Sequence, residues 1–189
     1  MPNPIALALS KPARIALFAV FLALASGSAR ASESFAVEGG DPYKNGELVG
    51  FAGLSAGGFG TSGSFLIPPI HIGADLGITE YIGIGGMFAY SRYDYLKYGL
   101  QYMTFVARGT FHPIFWFEKM KIPLDPYFIA SAGYTIGLWS GPGSADYGYV
   151  VVSPGVGARY WFKPNLAFQG ESGFGFGATL ASIGIAYKF

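Results

Sequence analysis

The 189-residue chain contains no cysteine. That excludes a disulfide framework, a thiolate metal site and a lipidated N-terminal cysteine. Charge is scarce as well. Asp, Glu, Lys and Arg make up 12% of the residues, about half the roughly 25% usual in soluble domains. The formal net charge of +1 gives no electrostatic reason for a nucleic-acid partner. Long apolar runs are missing too: no stretch reaches the roughly 18 residues that mark a spanning helix. Yet the chain is 51% hydrophobic and 17% aromatic, with 29 glycines. Two architectures fit that combination, an unusually apolar soluble β-domain or a β-barrel that faces lipid.

Residues 1–31 read as a cleaved signal peptide. Lys11 and Arg14 form a basic start, Ile15 to Ala25 an apolar core, and Ala29-Arg30-Ala31 an A-x-A cleavage site. Eleven apolar residues in a helix reach only about 16 Å, roughly half a hydrocarbon core, which argues against a membrane anchor. Cleavage after Ala31 removes Lys11, Arg14 and Arg30 and leaves nine basic against eleven acidic residues, a net charge of −2. Residues 32–45 read as a polar leader, and 46–189 as one exported β-barrel domain.

From Gly46 onward the hydrophobic period is two. In Ile70-His-Ile-Gly-Ala-Asp-Leu-Gly-Ile78, one face carries Ile70, Ile72, Ala74, Leu76 and Ile78, and the other His71, Gly73, Asp75 and Gly77. Phe128, Ala130, Ala132, Tyr134 and Ile136 alternate in the same way with Ile129, Ser131, Gly133 and Thr135. Eight such runs are predicted, at 46–56, 67–79, 81–93, 98–112, 125–138, 147–162, 165–174 and 178–189. Tight connections at Thr79-Glu80 and Lys163-Pro164-Asn165, with a longer one at Pro113 to Leu124, alternate with Gly- and Ser-rich ones. An even strand number with this alternation predicts an all-β, eight-stranded antiparallel up-and-down transmembrane β-barrel. Pro68-Pro69 and Pro154 must then sit at strand ends, at bulges or where the N–H would point away from a pairing, because proline cannot donate to a ladder. The first strand alternates weakly, and its outward face is not legible.

An eight-stranded bore is just wide enough for side chains to fill. The expected inward set is His71, Asp75, Arg108, His112, Arg159, Gln169 and Glu171, with several glycines. Isolated buried ions are costly. Asp75 and Glu171 balance Arg108 and Arg159, so these four are expected to form one charge cluster that plugs the lumen. Ion passage and catalysis are the competing readings of the same cluster, since charges at membrane depth are often functional.

Aromatic residues gather near both ends of the strands. Tyr81, Phe111, Phe115, Trp116, Phe117, Tyr127, Tyr160, Trp161 and Phe162 lie on the tight-turn side. Tyr90, Tyr93, Tyr95, Tyr98, Tyr102, Trp139, Tyr147 and Tyr149 lie on the other. They are expected to form two girdles at the lipid–water boundaries. No cofactor or metal site is supported: there are two histidines without ligand spacing. The glycine-rich Gly57–Gly63 lacks the Lys-Ser/Thr of a phosphate loop. Neither histidine has a serine two residues on, as a strand-borne hydrolase pair would.

The chain closes on Ile183-Gly-Ile-Ala-Tyr-Lys-Phe189. Gly184, Tyr187 and Phe189 resemble the insertion signal of bacterial outer-membrane proteins, with Ile183 where a polar residue is common. Together with Ala107-Arg-Gly-Thr-Phe-His112 and Gly155 to Asn165, the mature chain resembles the small OmpA/OmpX-type eight-stranded barrels of the outer membrane protein beta-barrel domain family. The resemblance implies an outer-membrane location in a Gram-negative-type bacterium. It also implies the lipid bilayer as surroundings and the barrel-assembly machinery as the partner of the last strand. It says little about activity, because one fold carries many functions. The leading expectation is a non-enzymatic, monomeric barrel with a structural or surface-contact role. The alternatives are a narrow porin-like channel, a lipid A-modifying enzyme and a soluble lipocalin-like barrel.

Overall fold

In the computed structural model, residues 45–56, 64–95, 98–113, 123–143, 147–173 and 181–189 are described. The expected signal peptide with Ala29 and Ala31, and the leader up to Lys44, lie outside them.

Eight strands are present: β1 (Leu48–Ala56), β2 (Ser64–Gly77), β3 (Ile82–Tyr95), β4 (Tyr98–Phe111), β5 (Leu124–Trp139), β6 (Tyr147–Lys163), β7 (Leu166–Gly173) and β8 (Ala181–Lys188). Each pairs antiparallel with its sequence neighbours, and β1 pairs with β8 from Val49↔Lys188 to Ala56↔Ala181, so the sheet closes into a barrel. Closure removes the unpaired edges that an open sheet would expose. All eight expected strands are found, with ends shifted by a few residues.

Both ends of the barrel domain meet at the tight-turn end, where the Phe189 amide donates to the Leu48 carbonyl at 3.0 Å. The β2–β3 turn is held by Thr79, whose Oγ1 accepts from the amides of Tyr81 and Ile82 at 3.1 and 2.9 Å. Pro164-Asn165 turns β6 into β7. At the same end, His112 begins the β4–β5 connection and its amide donates to the Tyr81 carbonyl at 2.8 Å.

The two adjacent prolines of β2 fall where the ladder can spare a donor. The β2–β3 register slips between Phe65 and Ile70, around Pro68-Pro69. Pro154 instead lies within β6, opposite Ala130 of β5.

The two faces differ in chemistry. Ile70, Ile72, Phe128, Tyr134 and Tyr187 are 43–49% exposed and point out of the barrel. The other parity is buried and carries the polar groups alongside apolar ones: His71, Asp75, Thr104, Arg108, Arg159 and Gln169 are all below 6%. On β1, Val49, Phe51 and Ser55 are buried while Ala52 and Leu54 are exposed, which fixes the face that the sequence left open. The apolar surface is outside and the buried ions are inside, the reverse of a soluble barrel.

One expectation about the aromatic girdles is corrected. Tyr81, Phe111, Tyr160 and Phe162 do stand outward at the tight-turn end, 38–47% exposed. Tyr127 and Trp161 instead point inward there, at 2% and 6%. At the loop end Tyr93 and Tyr102 are buried and pack edge to face at 5.7 Å. The reason is parity: Tyr93 shares the face of Gly85 and Ala89, and Tyr102 that of Thr104 and Arg108. Height along a strand does not decide whether a ring meets lipid. Phe115, Trp116 and Phe117 lie outside the described residues.

Candidate functional site

Asp75, Arg108, Arg159 and Glu171 come together in the lumen from β2, β4, β6 and β7. Asp75 bridges both guanidinium groups: Oδ1 lies 3.0 Å from Arg108 Nε and Oδ2 2.6 Å from Arg159 Nη2. Arg108 turns its other edge to Glu171 as a two-pronged fork, with Nη2–Oε1 at 2.7 Å and Nη1–Oε2 at 3.2 Å. Gln169 completes the circuit. Its Oε1 accepts from Arg159 Nε at 2.9 Å, and its Nε2 donates to Glu171 Oε1 at 2.9 Å. Five side chains thus form a closed ring, Asp75–Arg108–Glu171–Gln169–Arg159. Its formal charges cancel, which is the condition for burying ions at acceptable cost. The Arg108–Asp75 approach is off the hydrogen-bond line and counts as an ion contact.

Aromatic rings seat the two cations. Arg108 lies over Phe51 and Arg159 over Tyr127, both 4.7 Å from the ring centre. Such contacts strengthen where water is excluded. Tyr127 also donates to Glu171 Oε1 at 2.7 Å.

Two glycines, Gly85 and Gly157, make the ring possible. Asp75 and Arg108 are not on adjacent strands; Gly85 of β3 stands between them, paired to both. A methyl group at Gly85 would run into the Ala74 carbonyl and the Asp75 carboxylate. Gly157 of β6 stands in the same way between Tyr127 and Glu171, and a Cβ there would meet the Tyr127 ring at 2.5 Å. In each case a missing side chain lets one polar group reach another across an intervening strand. Sequence reasoning counted the inward glycines but did not see that two of them are bridges. The signal was there: Asp75, Gly85 and Arg108 all lie on the inward parity.

A second polar cluster lies toward the tight-turn end. His112 Nδ1 is 2.7 Å from Asp125 Oδ1, and Nε2 is 3.0 Å from Thr110 Oγ1. Asp125 was not among the expected inward residues. The order hydroxyl–imidazole–carboxylate is that of a nucleophilic triad. All three residues are only 0–3% exposed, and the cluster ties the end of β4 to the start of β5. Nearer the loop end, Ser55 Oγ pairs with His71 Nδ1 at 2.9 Å and Thr104 Oγ1 with Thr135 Oγ1 at 2.8 Å. No group of three His, Asp or Glu among the described residues is arranged to hold a metal ion.

On β8, Gly184 pairs with Gly53 on the inward face. Tyr187 and Phe189 point outward, their rings 5.1 Å apart and nearly perpendicular. Lys188 turns inward at the barrel end, 4.4 Å over the Trp161 ring and 3.4 Å from Glu47.

Comparison with known proteins separates fold from family. No protein-family model matches the chain, and no curated protein matches it. Solved structures do. Ail, the attachment invasion locus protein of Yersinia pestis, solved with the heparin analogue sucrose octasulfate, is 16% identical with a TM-score of 0.50. That match covers 77% of this chain and 99% of Ail. Neisserial surface protein A is also 16% identical with a TM-score of 0.50, over 76% of this chain and 96% of that one. The fold is that of the eight-stranded outer-membrane barrels.

Proposed function

We propose that this chain is an integral outer-membrane barrel whose lumen is sealed by the charge ring, and that it serves a structural or surface-contact role. The observation that carries this reading is the pairing of an aliphatic exterior with a closed, charge-neutral ring across the bore. In lipid, every strand's backbone must be satisfied internally, which a closed barrel achieves. The exposed aliphatic residues then need no protein partner, so the barrel is monomeric. By this reading the tight-turn end faces the periplasm, and the loops following β1, β3, β5 and β7 face outward. Gly184, Tyr187 and Phe189 are what the barrel-assembly machinery would read on the last strand.

The ring makes the non-conducting state the stable one. Each arginine holds two partners on different strands, so opening the bore would break several charge-assisted hydrogen bonds together. Thr110–His112–Asp125 is buried, which supports a non-enzymatic role. Purified protein in planar bilayers is expected to give no steady single-channel steps. Steady steps that disappear on Arg108→Gln or Arg159→Gln would overturn the plugged reading in favour of a narrow channel.

A further inference from the structure

We infer that the outer wall of β3 and β4 near the loops holds the phosphate of a lipid headgroup, given the outer-membrane placement proposed for the chain. Arg92 has the outward parity of β3, shared with Ile82, Ile84 and Gly86. It opposes Gln101 of β4, which in turn opposes Leu138 of β5. A cation on an otherwise apolar face needs an explanation, and height supplies the first part. Arg92 lies ten residues beyond Ile82. At about 3.3 Å per residue and a tilt of about 40°, that is about 25 Å along the barrel axis, the height of a lipid-facing band. Arg92 thus sits at the lipid–water boundary on the loop side.

An arginine at that height usually stretches its head into water. Arg92 lays its head back across β4, with Nη2 and Nε 3.6 and 3.7 Å from the point where Gly99 would carry a Cβ. Gly99 is therefore buried. Arg92 Nε is buried as well and has no hydrogen-bond partner, and no carboxylate among the described residues pairs with the guanidinium. A cation partly withdrawn from water without a counter-charge is completed by an anion from outside. Gln101 supplies a second donor beside it. Its Oε1 accepts from the Tyr90 hydroxyl at 3.2 Å, which fixes the amide and leaves Nε2 to donate elsewhere. Ser140 keeps the shelf in place, accepting from the Gly99 amide at 2.7 Å and donating to its carbonyl at 3.0 Å. A guanidinium edge next to an amide suits the oxygens of a phosphate. The surroundings favour a lipid over a free anion. Toward the middle of the barrel, Gln101 is followed on the same face by Met103 and Phe105, and the Phe105 ring lies 5.0 Å from that of Phe88. An acyl chain hanging from the headgroup runs over these residues, whereas a free phosphate gains nothing from them.

The test uses the full chain folded in maltoside micelles and offered equal phosphatidic acid and phosphatidylcholine, with bound lipid read by native mass spectrometry. The unsubstituted protein is expected to retain phosphatidic acid in preference. Arg92→Gln should cut that retention about tenfold, the ratio for one charge-assisted hydrogen bond exchanged for water. Gln101→Leu leaves the charge in place and should cut it about fivefold; it carries the test should Arg92→Gln fail the heat-modifiable mobility check for folding. Lys163→Gln, at the opposite end of the barrel, should change nothing, and an equal loss there would overturn the site. Undiminished retention in the Arg92 and Gln101 variants, or equal retention of both lipids by the unsubstituted protein, would overturn it too. Release of phosphatidic acid by millimolar inorganic phosphate would overturn the lipid assignment in favour of a free anion. Flotation with vesicles of phosphatidylcholine alone reads the membrane placement separately. Insertion without a preference for phosphatidic acid sinks the headgroup site alone, whereas failure to insert sinks the placement itself.

Discussion

At the scale of single residues, the structure turns on ions that are affordable only together. Asp75 is fully buried and serves two arginines, so Asp75→Asn leaves two guanidinium groups short of charge. Removing one partner of a buried pair costs about 3–5 kcal/mol. Urea-unfolding midpoints in detergent should fall accordingly for Asp75→Asn and for Arg159→Met. The double variant Asp75→Asn/Arg159→Met should lose clearly less than the sum of the two, since the residues are in contact and their effects couple. Glycine gives a sharper comparison. Gly85→Ala drives a methyl group into the Ala74 carbonyl and the Asp75 carboxylate, and overpacking of this kind costs about 1–3 kcal/mol. At Gly86, one residue on and outward, the nearest atom to a new Cβ is 3.4 Å away, so Gly86→Ala should leave the midpoint nearly unchanged. Equal losses at the two positions would contradict the bridging role of Gly85.

At the scale of strands, the alternation of period two carried most of the information. It located all eight strands, and it assigned the outward face of β2 and β5 from Ile70–Ile78 and Phe128–Ile136. It also brought Asp75, Arg108, Arg159 and Glu171 onto one parity. Register is what it lacked. A strand's own residues say which side chains share a face, but cross-strand neighbours depend on turn geometry and bulges such as the slips around Pro68-Pro69. Hence Gln169 as the closing member, Asp125 beside His112 and the glycine bridges were not legible. The tyrosines show the complementary limit: their crowding near strand ends suggested lipid contact, whereas the parity of Tyr93 and Tyr102 sends them inward. The last strand carries its own expectation. Deleting Phe189 removes an outward ring and the amide that donates to Leu48, and one terminal bond should matter little to unaided refolding. The fraction assembled in cells should drop several-fold while refolding from urea into detergent stays nearly complete. Parallel loss in both assays would mean that Phe189 is structural and no assembly signal.

At the scale of the whole molecule, the few charges and many glycines of the composition follow from an inverted arrangement, with the apolar surface outside and the ions within. A charge placed on the exterior should then be penalised by the bilayer. Arg or Lys near the middle of a lipid-facing strand costs about 2–4 kcal/mol. Ile72→Arg is therefore expected to unfold at lower urea in phospholipid vesicles. The most direct test of the inverted arrangement uses single cysteines at positions 128–136 of β5, spin-labelled in lipid vesicles and probed with oxygen, which partitions into lipid, and a water-soluble nickel chelate. Labels at 128, 130, 132, 134 and 136 are expected to show high oxygen and low nickel collision rates, with those at 129, 131, 133 and 135 low in oxygen. The opposite phase, or no period of two at all, would contradict the placement of this barrel's apolar face in a membrane.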